Sequence, residues 1–292
     1  MAIVLIATLL VLIGTHGVPA LTQYRDFSWL RRWQQQVGAQ GGDAVGLFLC
    51  LALPVLVCGL LQVVLRGSLL GLASLLFALV VLFYSWGPRD LERDVETIDK
   101  APNSDQRLAA AQALRADEGQ APLEFTAPAL VEATFVAALR RWFGVLLWFC
   151  LLGPAGALLY RLAQQLAFTP ELSEGFTPQQ REWAARIARG LDWAPAHLMV
   201  LALALASNFD TVFKTWRDYH AAHGRGYFCL DLGFLNAIAR ASVDADVAAE
   251  DEHGQPAQTP LVALDDAMVL VRRVLVVWLT VIALIVLGGW FA

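Results

Sequence analysis

Charge is what this sequence has least of. Only 16% of its 292 residues are Asp, Glu, Lys or Arg, where a soluble domain carries roughly a quarter. That shortage excludes a fold whose whole surface faces water. Apolar residues fill 58% of the chain, more than one water-soluble core hides, so part of the surface must meet a lipid bilayer. The net charge is −5, and no basic stripe of the kind nucleic acid requires is present. Cysteine is limited to Cys50, Cys58, Cys150 and Cys229, with no CxxC or other metal-ligand spacing. Three of these lie in apolar runs, where the thiol acts as a small hydrophobe, so no disulfide framework is expected. Phosphate-loop, GxSxG and HExxH motifs are missing. The glycines of GPAG (Gly153–Gly156) and GRG (Gly224–Gly226) are too isolated to cradle a phosphate. Neither a cofactor nor a metal is expected.

Long apolar runs stand in place of charge. Four are clear: Ala2–Val18, Ala44–Leu65, Ser68–Trp86 and Val274–Phe291. Each approaches the ~20 residues a helix needs to cross ~30 Å of hydrocarbon. The first has no Lys or Arg ahead of it, so it lacks the basic flank of a signal peptide and reads as a retained span. Arg66 and Gly67 alone separate the second from the third, which predicts a tight antiparallel helical hairpin. Two further segments are interrupted. Trp142–Phe168 has Gly153 and Pro154 near its middle, and Trp193–Phe209 has Pro195 and His197 near its start. Each is either a span or a re-entrant pair of half-helices, which needs cover from protein or water. The ten Trp suit membrane–water interfaces. The expected fold is an all-α polytopic membrane protein with a small helical cytoplasmic subdomain.

Basic residues orient such a chain, because they concentrate on the cytoplasmic side. With six spans and the N-terminus outside, 16 Lys and Arg fall inside and 5 outside; with both interrupted segments re-entrant, the split is 20 to 1. Both arrangements put residues 88–141 and 210–272 in the cytoplasm and disagree over Arg161–Leu191. The organisation is therefore an N-terminal span and hairpin (1–87), a helical cytoplasmic segment (88–141), central membrane segments (142–209), a second cytoplasmic segment (210–272) and a C-terminal span (273–292).

The polar segments carry weak site signals. Asp90, Asp94 and Glu96 beside Arg89 and Arg93 form either a solvated helix face with i,i+4 pairs or a paired-carboxylate site for a divalent ion. Ser104 is placed to cap a second helix over Asp105–Ala116. Thr177 and Pro178 are a suitable N-cap and first-turn pair for an amphipathic helix whose apolar face is Trp183, Ile187 and Leu191. His220 and His223 share a helix face with Asp218 nearby, but no third metal ligand sits at a telling distance. The acidic stretch Asp244–His253 reads as a mobile loop, and a last helix starts near Pro260.

Three features carry a family resemblance. Glu132–Arg161, EATFVAALRRWFGVLLWFCLLGPAGALLYR, resembles the central membrane segment shared by AmpE and the CobD/CbiB proteins. Leu191–Leu198, LDWAPAHL, resembles the element that follows it in both, with His197 where an Arg is usual. The order of N-terminal span, hairpin, polar loop and C-terminal span fits the whole chain. The RRWFGVLLWF version is closer to AmpE. The AmpE resemblance implies a non-enzymatic inner-membrane regulator of Gram-negative bacteria, linked to β-lactamase induction and cell-wall recycling. It also implies a small anionic ligand, a nucleotide included, or a cytoplasmic partner protein. The CobD/CbiB resemblance implies instead a ligase that forms an amide in cobalamin biosynthesis. The acidic and amide-bearing elements of those synthases are replaced here by HGVPALTQYRDF, AALRRWFG and AQQLAFT. A small-molecule transporter is a third alternative, since broken membrane segments form midplane sites, although the two halves show no internal repeat.

The polar residues in apolar surroundings that this resemblance shares are Glu132, Arg140, Arg141, Arg161 and Asp192. With His197 they are the candidate ligand-binding residues; no catalytic residue is expected. Arg161 is the foremost, because an ionisable group at membrane depth is costly unless paired or wet. For Arg140 and Arg141 the competing reading is interfacial anchoring. For Asp192 it is capping of a helix that starts at Trp193.

Overall fold

The computed structural model describes residues 25–37, 42–65, 71–86, 89–115, 122–224, 228, 230–250 and 259–288. Among these every regular element is helical. The span expected over Ala2–Val18 and the Arg66–Gly67 turn lie outside the described residues. Among the described residues three helices are long and apolar enough to cross a membrane: Asp43–Leu65, Ala127–Leu152 and Pro260–Leu287. The first and last bury only 22% of their most apolar stretch, whereas Ala127–Leu152 buries 67%. A helix that is apolar all round and largely uncovered has lipid as its natural surrounding. The chain divides into two units, one of Met1–Arg89, Gly144–Leu191 and Ile282–Ala292 and the other of Asp90–Phe143 and Asp192–Val281.

The first unit is built around an apolar helical hairpin. Its elements are α1 (Ser28–Val37), α2 (Asp43–Leu65), α3 (Leu72–Ser85), α7 (Gly144–Leu152), α8 (Pro154–Phe168), α9 (Pro170–Ser173) and the first part of α10 (Pro178–Ala206). Within its described length α3 has 14 residues, about 21 Å of helix and short of the ~30 Å hydrocarbon core. The interrupted segment Trp142–Phe168 is not one span: α7 ends at Leu152 and α8 starts at Pro154. Between them Gly153 takes φ 71° and ψ −155°, a region essentially reserved for glycine. Gly156 faces the Trp148 carbonyl and Gly144 faces the Tyr160 ring, both too closely for a Cβ. These two pairs are in antiparallel register, so α7 and α8 fold back on each other. Gln62 of α2 fastens the turn, donating to the Leu152 carbonyl at 3.3 Å and accepting from the Ala155 amide at 3.2 Å.

Leu162 and Leu166 of α8 join Leu30 of α1, Leu47 and Cys50 of α2, and Phe176 in a buried cluster. Thr177 caps α10 as its sequence suggests. Its hydroxyl accepts from the Gln180 amide while the Gln180 side chain accepts from the Thr177 amide, a reciprocal box that satisfies two orphan donors. Trp183 and Leu191 of the expected apolar face of α10 pack, partly buried, against this buried cluster, but the fully buried stripe is a neighbouring one. Gln180, Ala184, Ala188 and Asp192 turn inward, while Ile187 is exposed; alanine lets a neighbouring element approach more closely than the bulky face does.

The second unit comprises α4 (Leu91–Lys100), α5 (Ser104–Ala111) with a 3-10 turn at Gln112–Leu114, α6 (Ala127–Ala138) continued by a π turn at Leu139–Phe143, the second part of α10, α11 (Phe209–His223), α12 (Gly233–Glu250) and most of α13 (Pro260–Leu287). Asp90 caps α4, accepting from the Glu92 amide. The cap of α5 is Asn103, one residue before the expected Ser104; its side chain accepts from Gln106 N. Two expectations are corrected here. Asp192 does not start a helix: α10 runs through it without interruption. The acidic stretch from Asp244 is helical as far as Glu250. Ala245 and Ala248 favour helix, and Asp246 is held there because it accepts from Ser207 at 2.7 Å and from Arg273 at 2.9 Å.

Candidate functional site

The polar residues shared with the resemblance are taken up by the protein itself. Arg161 of α8 is 4% exposed. Its Nε donates to the Ser85 carbonyl at 2.7 Å and its Nη2 to the Trp86 carbonyl at 3.0 Å. Those carbonyls belong to the end of α3, where helix geometry leaves acceptors without intrahelical donors and the macrodipole favours a cation. A guanidinium, with its fork of donors, meets both needs inside an apolar bundle.

Arg140 and Arg141 are adjacent in the π turn, a rare element in which one extra residue widens the helix. They engage different partners. Arg140 Nε donates to Asp192 Oδ2 at 3.2 Å, with both side chains buried. Arg141 donates to Asp94 Oδ2 and to the Ala113 carbonyl, each at 2.7 Å. Glu132 is half-buried and accepts from Arg240 at 3.1 Å and Asn236 at 3.4 Å. The structure thus brings Arg140 and Asp192 together and keeps the remaining candidates apart from one another.

The carboxylates of α4 are likewise engaged: Asp90 in its cap, Asp94 with Arg141, and Glu96 with Lys100. The hydrogen bond from Lys100 holds the Glu96 carboxyl below the usual carboxylate range, and the same bond holds Lys100 above its ordinary value. Among the described residues no three His, Cys, Asp or Glu side chains gather closely enough to hold a metal ion.

His197 is placed differently from the other five. It lies one turn after Trp193 on α10 and lines an open groove of about 790 Å³ in the second unit. Its Nδ1 lies 2.8 Å from the Trp193 carbonyl. A carbonyl only accepts, so Nδ1 is the donor in this contact. The Nε2 of the same ring is buried and has no hydrogen-bond partner among the described residues. The imidazole packs between the Trp193 ring at 4.5 Å and the Phe234 ring at 4.6 Å.

The opposite wall of the groove comes from α11, where Asp210, Phe213, Lys214 and Arg217 recur at helical spacing and line it together with Trp216. Lys214 and Arg217 are exposed, and Phe228 stacks on Trp193 with ring centroids 5.5 Å apart and planes 8° from parallel. Sequence reasoning found His197 and missed this wall. The signal was present in FDTVFKTWR: positions 210, 213, 214 and 217 follow the i, i+3, i+4, i+7 pattern of one helix face, while Val212 and His220 point inward and are buried. No protein-family model, curated protein or solved structure matches the chain.

Proposed function

We propose that this chain is a non-enzymatic inner-membrane regulator or sensor of the AmpE type in a Gram-negative bacterium, acting in β-lactamase induction and cell-wall recycling. It binds a small anionic ligand or a partner protein at its cytoplasmic side. The observation that supports this reading best is a division of labour among polar residues. The buried arginines shared with the resemblance are spent on helix-end carbonyls and internal carboxylates. The open groove beside His197 instead carries the exposed cations Lys214 and Arg217 on an aromatic wall, with Arg217 3.7 Å from the Asp218 carboxylate. Active sites that activate a carboxylate with a nucleotide hold metal ligands and phosphate donors in the reaction space. Here the charged groups nearest the resemblance motif stabilise the scaffold. The excess of basic residues in 88–141 and 210–272 supports a cytoplasmic position for the groove.

The test is deletion of the gene, followed by measurement of β-lactamase induction and muropeptide pools. A change in either is expected, and unchanged values for both would count against the regulatory reading. Saturable binding of ATP with magnesium to the purified protein would favour a ligase instead.

A further inference from the structure

The first unit carries a groove of its own, about 490 Å³ in volume, between α2 and α3. Its lining runs from Leu53 to Leu61 on α2 and from Phe77 to Tyr84 on α3, about 10–12 Å along each helix. That is most of one leaflet of a ~30 Å hydrocarbon core, and too short for a partner's spanning helix. Val57, Leu61 and Val80 in its walls are 50%, 47% and 61% exposed, so the groove opens on the surroundings of these apolar helices. Trp29 and Tyr84 mark one end, with Trp33 one helical turn on; such rings belong at the membrane–water interface. Trp29 donates to the Tyr84 hydroxyl at 2.6 Å, that hydroxyl donates to the Asp26 carbonyl, and the Trp33 N–H is buried. The rings therefore offer an occupant hydrocarbon surface only.

The helix that supplies both tryptophans is cationic. Between Ser28 and Val37 α1 has no carboxylate, and it exposes Arg31 and Arg32. Arg32, three residues after Trp29, borders the tryptophan face. Asp26, just ahead of α1, is held by hydrogen bonds from Ser28 and offsets part of the Arg32 charge. One net positive charge remains at this end of the groove.

We infer that the groove holds one acyl chain of an anionic phospholipid, with the headgroup beside the positively charged α1. Bilayer hydrocarbon is as apolar as leucine, so the hydrophobic effect does not favour the groove over the bilayer. The chain is held instead by close contact with walls from three helices, and the headgroup by attraction to α1. This assignment depends on bilayer contact by α2 and is independent of the regulatory reading.

The probe is phosphatidylglycerol with a photoactivatable diazirine at mid-chain, placed with the full-length protein in phosphatidylcholine nanodiscs. Adducts are mapped by mass spectrometry after illumination. Labelling is expected to concentrate on Val57 and Leu61 over their sequence neighbours Leu56 and Leu60. Those neighbours are 62% and 66% exposed, so exposure alone would favour them. Unlabelled phosphatidylglycerol should compete about five-fold more strongly than phosphatidylcholine, the effect of one net basic residue near a membrane surface. The double variant Arg31→Gln/Arg32→Gln should abolish that preference and keep the labelling pattern. Val57→Trp, which fills the groove, should move adducts from Leu61 to Leu60. Equal labelling of the two pairs would reduce the groove to ordinary boundary lipid and overturn the assignment. So would a pattern unchanged by Val57→Trp, equal competition by the two lipids, or no adduct on any of the four residues, as coverage by a second copy of the chain would give. Comparison of Leu61 with Leu60 on the unaltered protein decides the matter even if Val57→Trp does not fold.

Discussion

The two units engage their polar side chains in different ways. In the first, long side chains mostly end on backbone carbonyls: Arg161 on Ser85 and Trp86, Gln34 on Leu172, Gln62 on Leu152 and Gln180 on Asp43. In the second, charged side chains pair with each other: Arg140 with Asp192, Arg141 with Asp94, Arg240 with Glu132, Arg272 with Glu92 and Arg273 with Asp246. The difference follows from composition. The apolar helices of the first unit supply few carboxylates, so its polar side chains seek the acceptors every helix offers at its end or at a break. The Trp148 indole is another case: it donates to the Leu191 carbonyl at 3.1 Å, the acceptor that Pro195, lacking an N–H, cannot serve. The first unit is thus tied mostly by backbone acceptors, and the second by ion pairs.

The contrast is broken most strongly at the buried Arg140–Asp192 pair. Asp192→Ala strands the Arg140 guanidinium without its carboxylate and is expected to cost about 3–5 kcal/mol, read as a fall in the denaturation midpoint of the purified protein. Arg140→Met combined with Asp192→Leu should restore most of that loss. If the single and double variants were equally unstable, the pair would matter for packing and not for charge. Next in size is Arg161→Met, which orphans the carbonyls at the end of α3 at a cost of about 1–3 kcal/mol. Because its partners are dipoles, this loss should vary little with salt.

The sequence made much of the first unit legible and less of the second. Runs such as Ala44–Leu65 announce themselves, and Gly153 with Pro154 marks the break that proves to be a hairpin turn. Arg161 stood out as an ionisable residue in an apolar run, but its partners lie 75 and 76 positions away in the chain. No local pattern encodes such a contact. Asp246 was misread for a related reason. A run of acids looks like a solvated loop until Ser207 and Arg273, remote in sequence, converge on one carboxylate. The groove was half legible: His197 broke the resemblance motif, while the facing wall of α11 carried its helical spacing without any motif to flag it.

Smaller effects sharpen the same comparison. The Arg272–Glu92 and Arg273–Asp246 pairs have half-exposed guanidinium groups, so Arg272→Gln or Arg273→Gln should cost less than about 1 kcal/mol. That cost should fade as salt rises, unlike the effect of Arg161→Met. The smallest effect belongs to Asp26, an exposed residue ahead of α1. Hydrogen bonds from the Ser28 side chain and amide hold its carboxyl below the ordinary value. A depressed carboxyl contributes stability above the unfolded-state value and loses it as pH falls through the folded-state value. Asp26→Asn should therefore lower stability slightly at neutral pH and leave it unchanged at low pH, which flattens the acid limb of a stability–pH curve. A curve unchanged on the acid side would remove this contribution.

The most direct measurement of the central claim, that α2 faces lipid while the α11 groove faces water, is spin-label accessibility. Single labels at Leu60 and Val64, both exposed on α2, and at Lys214 and Arg217 on the groove rim would be compared in nanodiscs. The account predicts that labels on α2 are reached by oxygen and shielded from a water-soluble nickel complex, with the reverse at the rim. Equal access of the nickel complex to both pairs would contradict it.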